Sequence, residues 1–181
     1  MVKYINGDVF AILNQKSNLP VILAHSCNCF GSWGGGIAFA LKQKFPSSYT
    51  LYSDYCSRFQ DNPQELLGKC LLLPISKTDP GYTSVVGDKF LIACLFTGAS
   101  GGKAEILKYT DVSLSHLGKI IQSKKSEISI PRVDEILQSI NTDDVPIYLP
   151  KINSGIFGVP WPNTEKILEN HNDLKFVVYS I

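Results

Sequence analysis

Three short glycine-rich segments are the feature of this sequence that points most clearly to chemistry. They span residues 31–36, 98–102 and 155–158, hold nine of the 14 glycines, and each follows a segment that we predict to be a strand. Ligands of open α/β sheets bind outside the carboxyl ends of strands, and glycine lets backbone N–H groups approach a ligand closely. Residues 34–36 also lead into a predicted helix, whose N-terminus favours phosphate. The spacing predicts an anion-binding cleft, although any single glycine is more simply explained by a turn.

The nucleotide-binding motifs that have a fixed glycine spacing are absent. The chain has no GxxxxGK(S/T) segment, and Gly-Ser-Trp-Gly-Gly-Gly at residues 31–36 is not GxGxxG. In those motifs each glycine stands at a position that a tight turn or a phosphate contact requires. A P-loop NTPase and a Rossmann dehydrogenase are therefore disfavoured.

His25 is the residue whose type and position best suit catalysis. It ends a predicted buried strand beside the first glycine loop, whereas His116 and His171 are predicted to lie on polar faces of helices. An imidazole titrates near neutral pH, so it could orient a water molecule or protonate a leaving oxygen. The alternative is a buried histidine with a purely structural role.

Cys27 and Cys29 stand close to His25 in the sequence, which raises metal binding and thiol catalysis. A structural zinc site uses four ligands and usually a wider cysteine spacing. A cysteine phosphatase needs its thiolate beside an arginine in the phosphate loop, and the only arginines, Arg58 and Arg132, are not near this pair in the sequence. We therefore predict no metal and no cofactor, and we predict that the cysteines are small buried residues.

The composition is that of one globular domain spanning residues 1–181. Lys and Arg (17) nearly balance Asp and Glu (16), which disfavours a direct nucleic-acid partner. No apolar run is long enough to cross a bilayer, and the first residues lack the core of a signal peptide. The five cysteines show no disulfide-like spacing, so they are expected to be reduced. We expect a monomer without a membrane partner, located in the cytoplasm and, as a second location, the nucleus.

Alternating strand and helix patterns predict an α/β domain with a mixed sheet and helices on both faces. The predicted strands are 2–5, 21–24, 70–73, 90–96, 147–152 and 174–179, and the predicted helices are 37–45, 48–59, 104–121, 133–140 and 164–169. The turn signal Asp79-Pro80-Gly81 predicts that the third and fourth strands pair antiparallel. The segment of about 124–145 is polar and contains Pro131, and we predict it to be an insertion.

Three motifs resemble the ligand-binding segments of macro domains. His25-Ser26-Cys27-Asn28 followed by residues 31–38 resembles their first ligand loop, residues 153–160 resemble the second, and Asn6-Gly7-Asp8-Val9 resembles the start of the fold. Within the macro domains, the run His-Ser-Cys-Asn-Cys and then Gly-Ser-Trp-Gly-Gly-Gly is most similar to the fungal ADP-ribose 1″-phosphate phosphatase family. The match covers essentially the whole chain. It implies a three-layer α/β/α sandwich with a central mixed sheet and a cleft for ADP-ribose or its 1″-phosphate.

The resemblance also implies roles for individual residues. Asp8 would accept a hydrogen bond from the adenine amino group, although the sequence fits a turn or N-cap aspartate equally well. Asn28 would contact the distal ribose, Phe157 would form a wall beside it, and His25, where most macro domains carry asparagine, would be catalytic. The implied substrate-binding residues are Gly7, Asp8, Val9, Ser26, Cys27, Asn28, Trp33, Gly34, Gly35, Gly36, Ile37, Ala38, Asn153, Ser154, Gly155, Ile156, Phe157, Gly158 and Val159.

The activity that the resemblance implies is a phosphatase that converts ADP-ribose 1″-phosphate, a by-product of tRNA splicing, into ADP-ribose and phosphate. Binding of the adenosine and the diphosphate would position the distal phosphate. The loop amides would stabilise the transition state. Two alternatives remain open. One is a glycohydrolase that removes ADP-ribose from proteins, although Phe157 stands where such macro domains carry an aspartate. The other is a non-catalytic ADP-ribose-binding module.

Overall fold

Six strands form one mixed sheet in the order β1-β6-β5-β2-β4-β3. The computed structural model describes residues 1–141 and 144–181. Residues 142 and 143, which belong to the segment predicted as an insertion, lie outside the described residues. The strands are β1 Val2–Asn6, β2 Val21–Asn28, β3 Cys70–Pro74, β4 Phe90–Gly98, β5 Pro146–Pro150 and β6 Lys175–Ser180. Each of the six predicted strands is present.

The strand directions bring the ligand-binding ends of five strands to one edge of the sheet. β3 runs antiparallel to β4, as the turn at residues 79–81 predicts, and all other neighbours are parallel. The central strand β2 continues to Asn28, beyond the predicted end at Ala24, because its later residues pair with β4. Its polar residues are thereby carried to the edge of the sheet where ligands bind.

Helices cover both faces of the sheet and enclose two apolar cores. The helices are α1 Gly36–Lys44, α2 Pro46–Ser57, α3 Lys103–Ser123, α4 Val133–Gln138 and α5 Trp161–Asn170, with short 3-10 helices at Val9–Asn14, Pro63–Leu66 and Gly87–Lys89. One core lies between the sheet and α1 and α2, and the other lies between the sheet and α3 to α5. Successive strand residues point to opposite faces, so Leu71 enters the first core and Leu72 the second. The predicted three-layer α/β/α sandwich is confirmed.

Local signals set the helix boundaries. Phe45 follows α1, and Pro46 occupies the first position of α2, where its missing N–H is not needed. α2 therefore begins two residues before the predicted start at residue 48. Within the described part of the chain, no helix is both long and apolar enough to cross a membrane.

The segment predicted as a polar insertion contributes to the second core. Val133, Ile136, Leu137 and Ile140 are buried in that core together with residues of α3 and of the sheet. Their spacing follows the helical period, so a mostly polar segment still presents an apolar stripe. The segment is therefore part of the layer that covers this face of the sheet, which its overall polarity did not indicate.

Candidate active site

A cleft of about 420 Å³ opens at the carboxyl ends of β2 and β5, between the glycine loops at residues 31–36 and 155–158. This volume suits a small-molecule ligand. Thirteen of the predicted binding residues line it, namely Ser26, Cys27, Asn28, Trp33, Gly34, Gly35, Gly36, Ile37, Ala38, Asn153, Gly155, Ile156 and Phe157. Seven predicted site residues do not, namely Gly7, Asp8, Val9, His25, Ser154, Gly158 and Val159.

The side chain of Asn28 holds the first glycine loop in shape. Its Nδ2 donates to the carbonyl oxygen of Ser32 at 2.7 Å, and its Oδ1 accepts from the N–H of Phe30 at 2.9 Å. The loop also contains Gly31 at φ +79°, where an added Cβ would lie 3.3 Å from Cys56 Cβ. A side chain would be strained there and would meet that neighbour. Asn28 thus lines the cleft and fixes the loop at the same time.

The second loop is closed by its own backbone and reaches across the cleft. Asn153 adopts φ +69°, and its carbonyl oxygen accepts from the N–H of Val159 at 2.8 Å. The side chain of Ile156 is 77% exposed, and a Cβ added to Gly35 would lie 2.2 Å from Ile156 Cδ1. The two ligand loops therefore meet, with Ile156 filling the space that the missing side chain of Gly35 leaves.

Both ligand loops carry backbone donors that have no partner within the described residues. The N–H groups of Gly34, Gly35, Ile156 and Phe157 make no hydrogen bond to any residue that the structure describes. α1 begins at Gly36, so the first pair also lies at the positive end of a helix dipole. Unpaired N–H groups beside a helix N-terminus form a site for phosphate or another anion.

The glycine loop at residues 98–102 has a different role from the one its glycines predict. It does not line the cleft. Its N–H groups at Ala99 and Gly101 donate to Glu105 Oε2 at 2.9 and 2.7 Å. A carboxylate of the protein thus occupies the position that a bound anion could take. The expectation that three glycine loops surround one cleft is wrong for this loop.

His25 lies beneath the cleft rather than in it. The side chain has no exposed surface, and its ring packs edge-on against Trp33 with 5.0 Å between the ring centroids. Trp33 itself lines the cleft. A group with no exposed surface cannot contact a ligand unless its neighbours move, so a direct catalytic role requires movement of Trp33. The catalytic role of His25 stays a prediction.

A cluster of thiols surrounds His25. Cys27 Sγ lies 3.3 Å and Cys94 Sγ 3.9 Å from His25 Nε2. Burial raises the pKa of the Cys27 thiol, but the hydrogen bond from Cys94 and the neighbouring His25 outweigh burial and lower that pKa to about 6. The donor atoms of the three residues lie within 4.8 Å of one another, which is one ligand short of a closed zinc site. All five cysteines are free and buried, which confirms the prediction for their packing.

The other two histidines also make specific contacts. His116 Nδ1 accepts from the N–H of Cys70 at 2.9 Å. His171 follows the end of α5, is buried, and lies 2.7 Å from an oxygen of Asp111. The prediction that both lie on polar helix faces is wrong, because His116 is half-buried against β3 and His171 is buried just beyond the end of α5.

The three residues predicted at the start of the fold lie outside the cavity. Asp8 is exposed, and its Oδ1 accepts from the N–H of Phe10 at 2.9 Å, so it is the N-cap of the 3-10 helix Val9–Asn14. Val9 is buried in the first core. The N-cap alternative for Asp8 is confirmed, and its contact with adenine stays a prediction.

Lys151 is a cleft residue that the sequence analysis missed. It is the one lysine or arginine among the described residues that line the cavity. Within the described residues its ammonium group has no ion pair. Its position next to the second loop motif in the sequence is the signal that could have identified it.

These features define a class: a three-layer α/β/α domain with a cleft suited to an anionic ligand between two glycine loops at the carboxyl edge of a mixed sheet. The family model of the Macro domain matches residues 24–168. The chain belongs to the macro domain family.

Relatives match the chain over its full length. It is 42% identical over 187 residues to the ADP-ribose 1″-phosphate phosphatase of Debaryomyces hansenii, covering 100% of this chain and 99% of the relative. It is 37% identical over 182 residues to the protein of the same name from Scheffersomyces stipitis, covering 100% of both. The macrodomain of Mycobacterium tuberculosis DarG has a similar fold, with a TM-score of 0.64 at 21% identity over 100% of this chain and 98% of that one.

Proposed function

We propose that this protein hydrolyses ADP-ribose 1″-phosphate to ADP-ribose and inorganic phosphate. The observation that carries the proposal is the match over the full length to relatives of that name, at 42% and 37% identity. The cleft supports it, because the ligand loops keep the unpaired N–H groups that a diphosphate needs.

The residues of the cleft have separate roles in ligand binding and in the reaction. The N–H groups of Gly34, Gly35, Ile156 and Phe157 hold the diphosphate, and this binding places the distal phosphate for attack by water. The ammonium group of Lys151 offsets part of the charge of the phosphorylated ligand. The cleft lining is largely apolar, and in such an environment fixed donors stabilise developing charge more strongly than in water.

The remaining expectations from the sequence belong to this proposal. The substrate is a small molecule, and the protein acts as a monomer in the cytoplasm and in the nucleus, on a by-product of tRNA splicing. The net charge of +1 supports the absence of a direct nucleic-acid partner. The two alternatives receive no specific support. Phe157 lines the cleft at the position of the aspartate of glycohydrolases, and the described cleft lining contains no carboxylate.

Product analysis tests the proposal. The purified protein is incubated with ADP-ribose 1″-phosphate and, separately, with a protein that carries single ADP-ribose groups. We expect phosphate from the first substrate, no ADP-ribose from the second, and a rise in melting temperature with ADP-ribose, since the ligand binds only the folded cleft. Lys77→Gln is the control variant, because Lys77 follows β3 at the opposite edge of the sheet. Free ADP-ribose without phosphate would support the glycohydrolase, and binding without turnover would support the binding module.

A further inference from the structure

A buried chain of hydrogen bonds leads from the floor of the cleft into the helical layer. Ser26 Oγ lies 2.5 Å from Asn153 Oδ1, and Asn153 Nδ2 lies 3.1 Å from Thr110 Oγ1. Thr110 Oγ1 lies 2.7 Å from the carbonyl oxygen of Ile106, one turn earlier in α3. Asn153 Nδ2 also lies 3.2 Å from Thr164 Oγ1 in α5. The chain thus joins β2, the second ligand loop and two helices.

The buried end of this chain fixes the direction of every hydrogen bond in it. The carbonyl oxygen of Ile106 can only accept, so the single hydroxyl proton of Thr110 points to it. Towards Asn153, Thr110 can therefore only accept, and the atom of Asn153 that faces it must be Nδ2. The amide oxygen of Asn153 then faces Ser26. Because an amide oxygen can only accept, Ser26 must donate its proton to Asn153.

Reversing the direction of these hydrogen bonds would be unfavourable, because the groups that form them are shielded from water. Thr110 and Thr164 have no exposed surface, and Asn153 is 5% exposed. If the Asn153 amide turned over, its oxygen would face the lone pairs of Thr110, and its Nδ2 would lose both threonine acceptors. Buried polar groups without partners are strongly disfavoured.

At the cleft, Ser26 therefore offers lone pairs and no proton. Ser26 is half-buried and lines the cavity. An ionised phosphate oxygen is also an acceptor and cannot bond to it. We propose that Ser26 is a positioning residue that accepts a hydrogen bond from an O–H group at the distal end of the ligand, and that Thr110 sets this polarity from inside the protein. The proposal rests on the proposed function, because the O–H group belongs to the distal ribose or to the attacking water.

Four variants test this polarity. Ser26→Ala removes the acceptor, and Thr110→Val removes the group that orients Asn153. Thr110→Ser keeps the hydroxyl and serves as the rescue. Thr97→Val is the matched control, because Thr97 is buried in β4 and its Oγ1 has no hydrogen-bond partner within the described residues.

The measurements are the dissociation constants for ADP-ribose and for ADP, which lacks the distal ribose, and kcat for phosphate release from ADP-ribose 1″-phosphate. We expect Ser26→Ala and Thr110→Val each to lose about 3–10-fold, the range of a neutral hydrogen bond, in either ADP-ribose affinity or kcat. ADP affinity should be unchanged in both. Thr110→Ser and Thr97→Val should match the wild type.

The pattern of losses identifies the O–H group. Weaker ADP-ribose binding with unchanged ADP binding assigns it to the distal ribose, and a lower kcat with unchanged affinities assigns it to the water. Wild-type values for both quantities in Ser26→Ala would overturn the proposal, and wild-type values in folded Thr110→Val would overturn the role of Thr110. If Thr110→Val does not fold, the measurements on Ser26→Ala alone test the proposal for Ser26. If the wild type releases no phosphate, the proposed function fails, while the comparison of ADP-ribose with ADP still tests Ser26.

Discussion

Replacing His25 by alanine separates a catalytic role from a packing role. The ring is fully buried, packs against Trp33 with 5.0 Å between the ring centroids, and has Cys27 Sγ 3.3 Å from Nε2. His25→Ala removes these contacts and leaves a cavity in a close-packed core. We therefore expect the free energy of unfolding to fall by about 2–4 kcal/mol, in the range of large-to-small core substitutions.

The activity of the same variant tests catalysis. We expect phosphate release per folded molecule to fall by about 100-fold or more, as it does when a general acid or base is lost. ADP-ribose affinity should change little, because the unpaired N–H groups of the two ligand loops remain in place. Urea denaturation, calorimetric titration with ADP-ribose and phosphate release are measured on one preparation.

His116→Ala is the matched control for this experiment. His116 Nδ1 accepts from the N–H of Cys70 at 2.9 Å, on the α3 side of the sheet. Its loss should lower stability and leave phosphate release per folded molecule unchanged. Wild-type activity in folded His25→Ala would remove His25 from the mechanism, and wild-type stability would refute the argument from its packing.

Three further substitutions have expected outcomes. The Asp8→Ala variant should fold, and its binding of adenosine-containing ligands should be weaker by about 1–3 kcal/mol in calorimetric titration. Normal binding would show that Asp8 acts only as an N-cap. Gly35→Ala places a Cβ 2.2 Å from Ile156 Cδ1, the far end of a flexible side chain that is 77% exposed. Ile156 can therefore turn away, and ADP-ribose affinity in calorimetric titration should stay close to that of the wild type; a clear loss that Ile156→Ala recovers would contradict this expectation. Folding lowers the pKa of Cys27 from 9.0 to about 6. The stabilisation that results is fully present above pH 9 and is lost as the pH falls through 6. The free energy of unfolding, measured by urea denaturation, should therefore rise with pH between these values, and Cys27→Ser should remove that rise.

Periodicity and turn residues were sufficient to predict that each strand and α-helix exists, although not where each one ends. The alternation at residues 2–5, the apolar run at 90–96 and the turn at 79–81 each predicted an element or a pairing that the structure contains. These signals are local, so they do not depend on which segments meet. The extension of β2 to Asn28 was not predictable in this way, because pairing with β4 holds it in place.

The site was predictable where the loop motifs are contiguous and unpredictable where distant elements meet. Residues 34–38 and 155–157 line one cleft, as their resemblance to ligand loops implies. The burial of His25 depends on Trp33 and on Cys94, which stands 69 positions away in the chain. The bonds from Asn153 to Thr110 and Thr164 likewise exist only once α3 and α5 are packed.

The contact of the Glu105 carboxylate, in α3, with the glycine loop at residues 98–102 affects how tightly the cleft can hold a ligand. Glu105 accepts from the N–H groups of Ala99 and Gly101 in that loop, so these groups need no bound anion as a partner. Gly98 of that loop accepts a hydrogen bond from the N–H of Cys29 at 3.0 Å, so the first ligand loop is attached to a neighbour whose own hydrogen bonds form without a ligand. Less conformational entropy then remains to be lost when a nucleotide enters, and more of the contact energy is expressed as affinity.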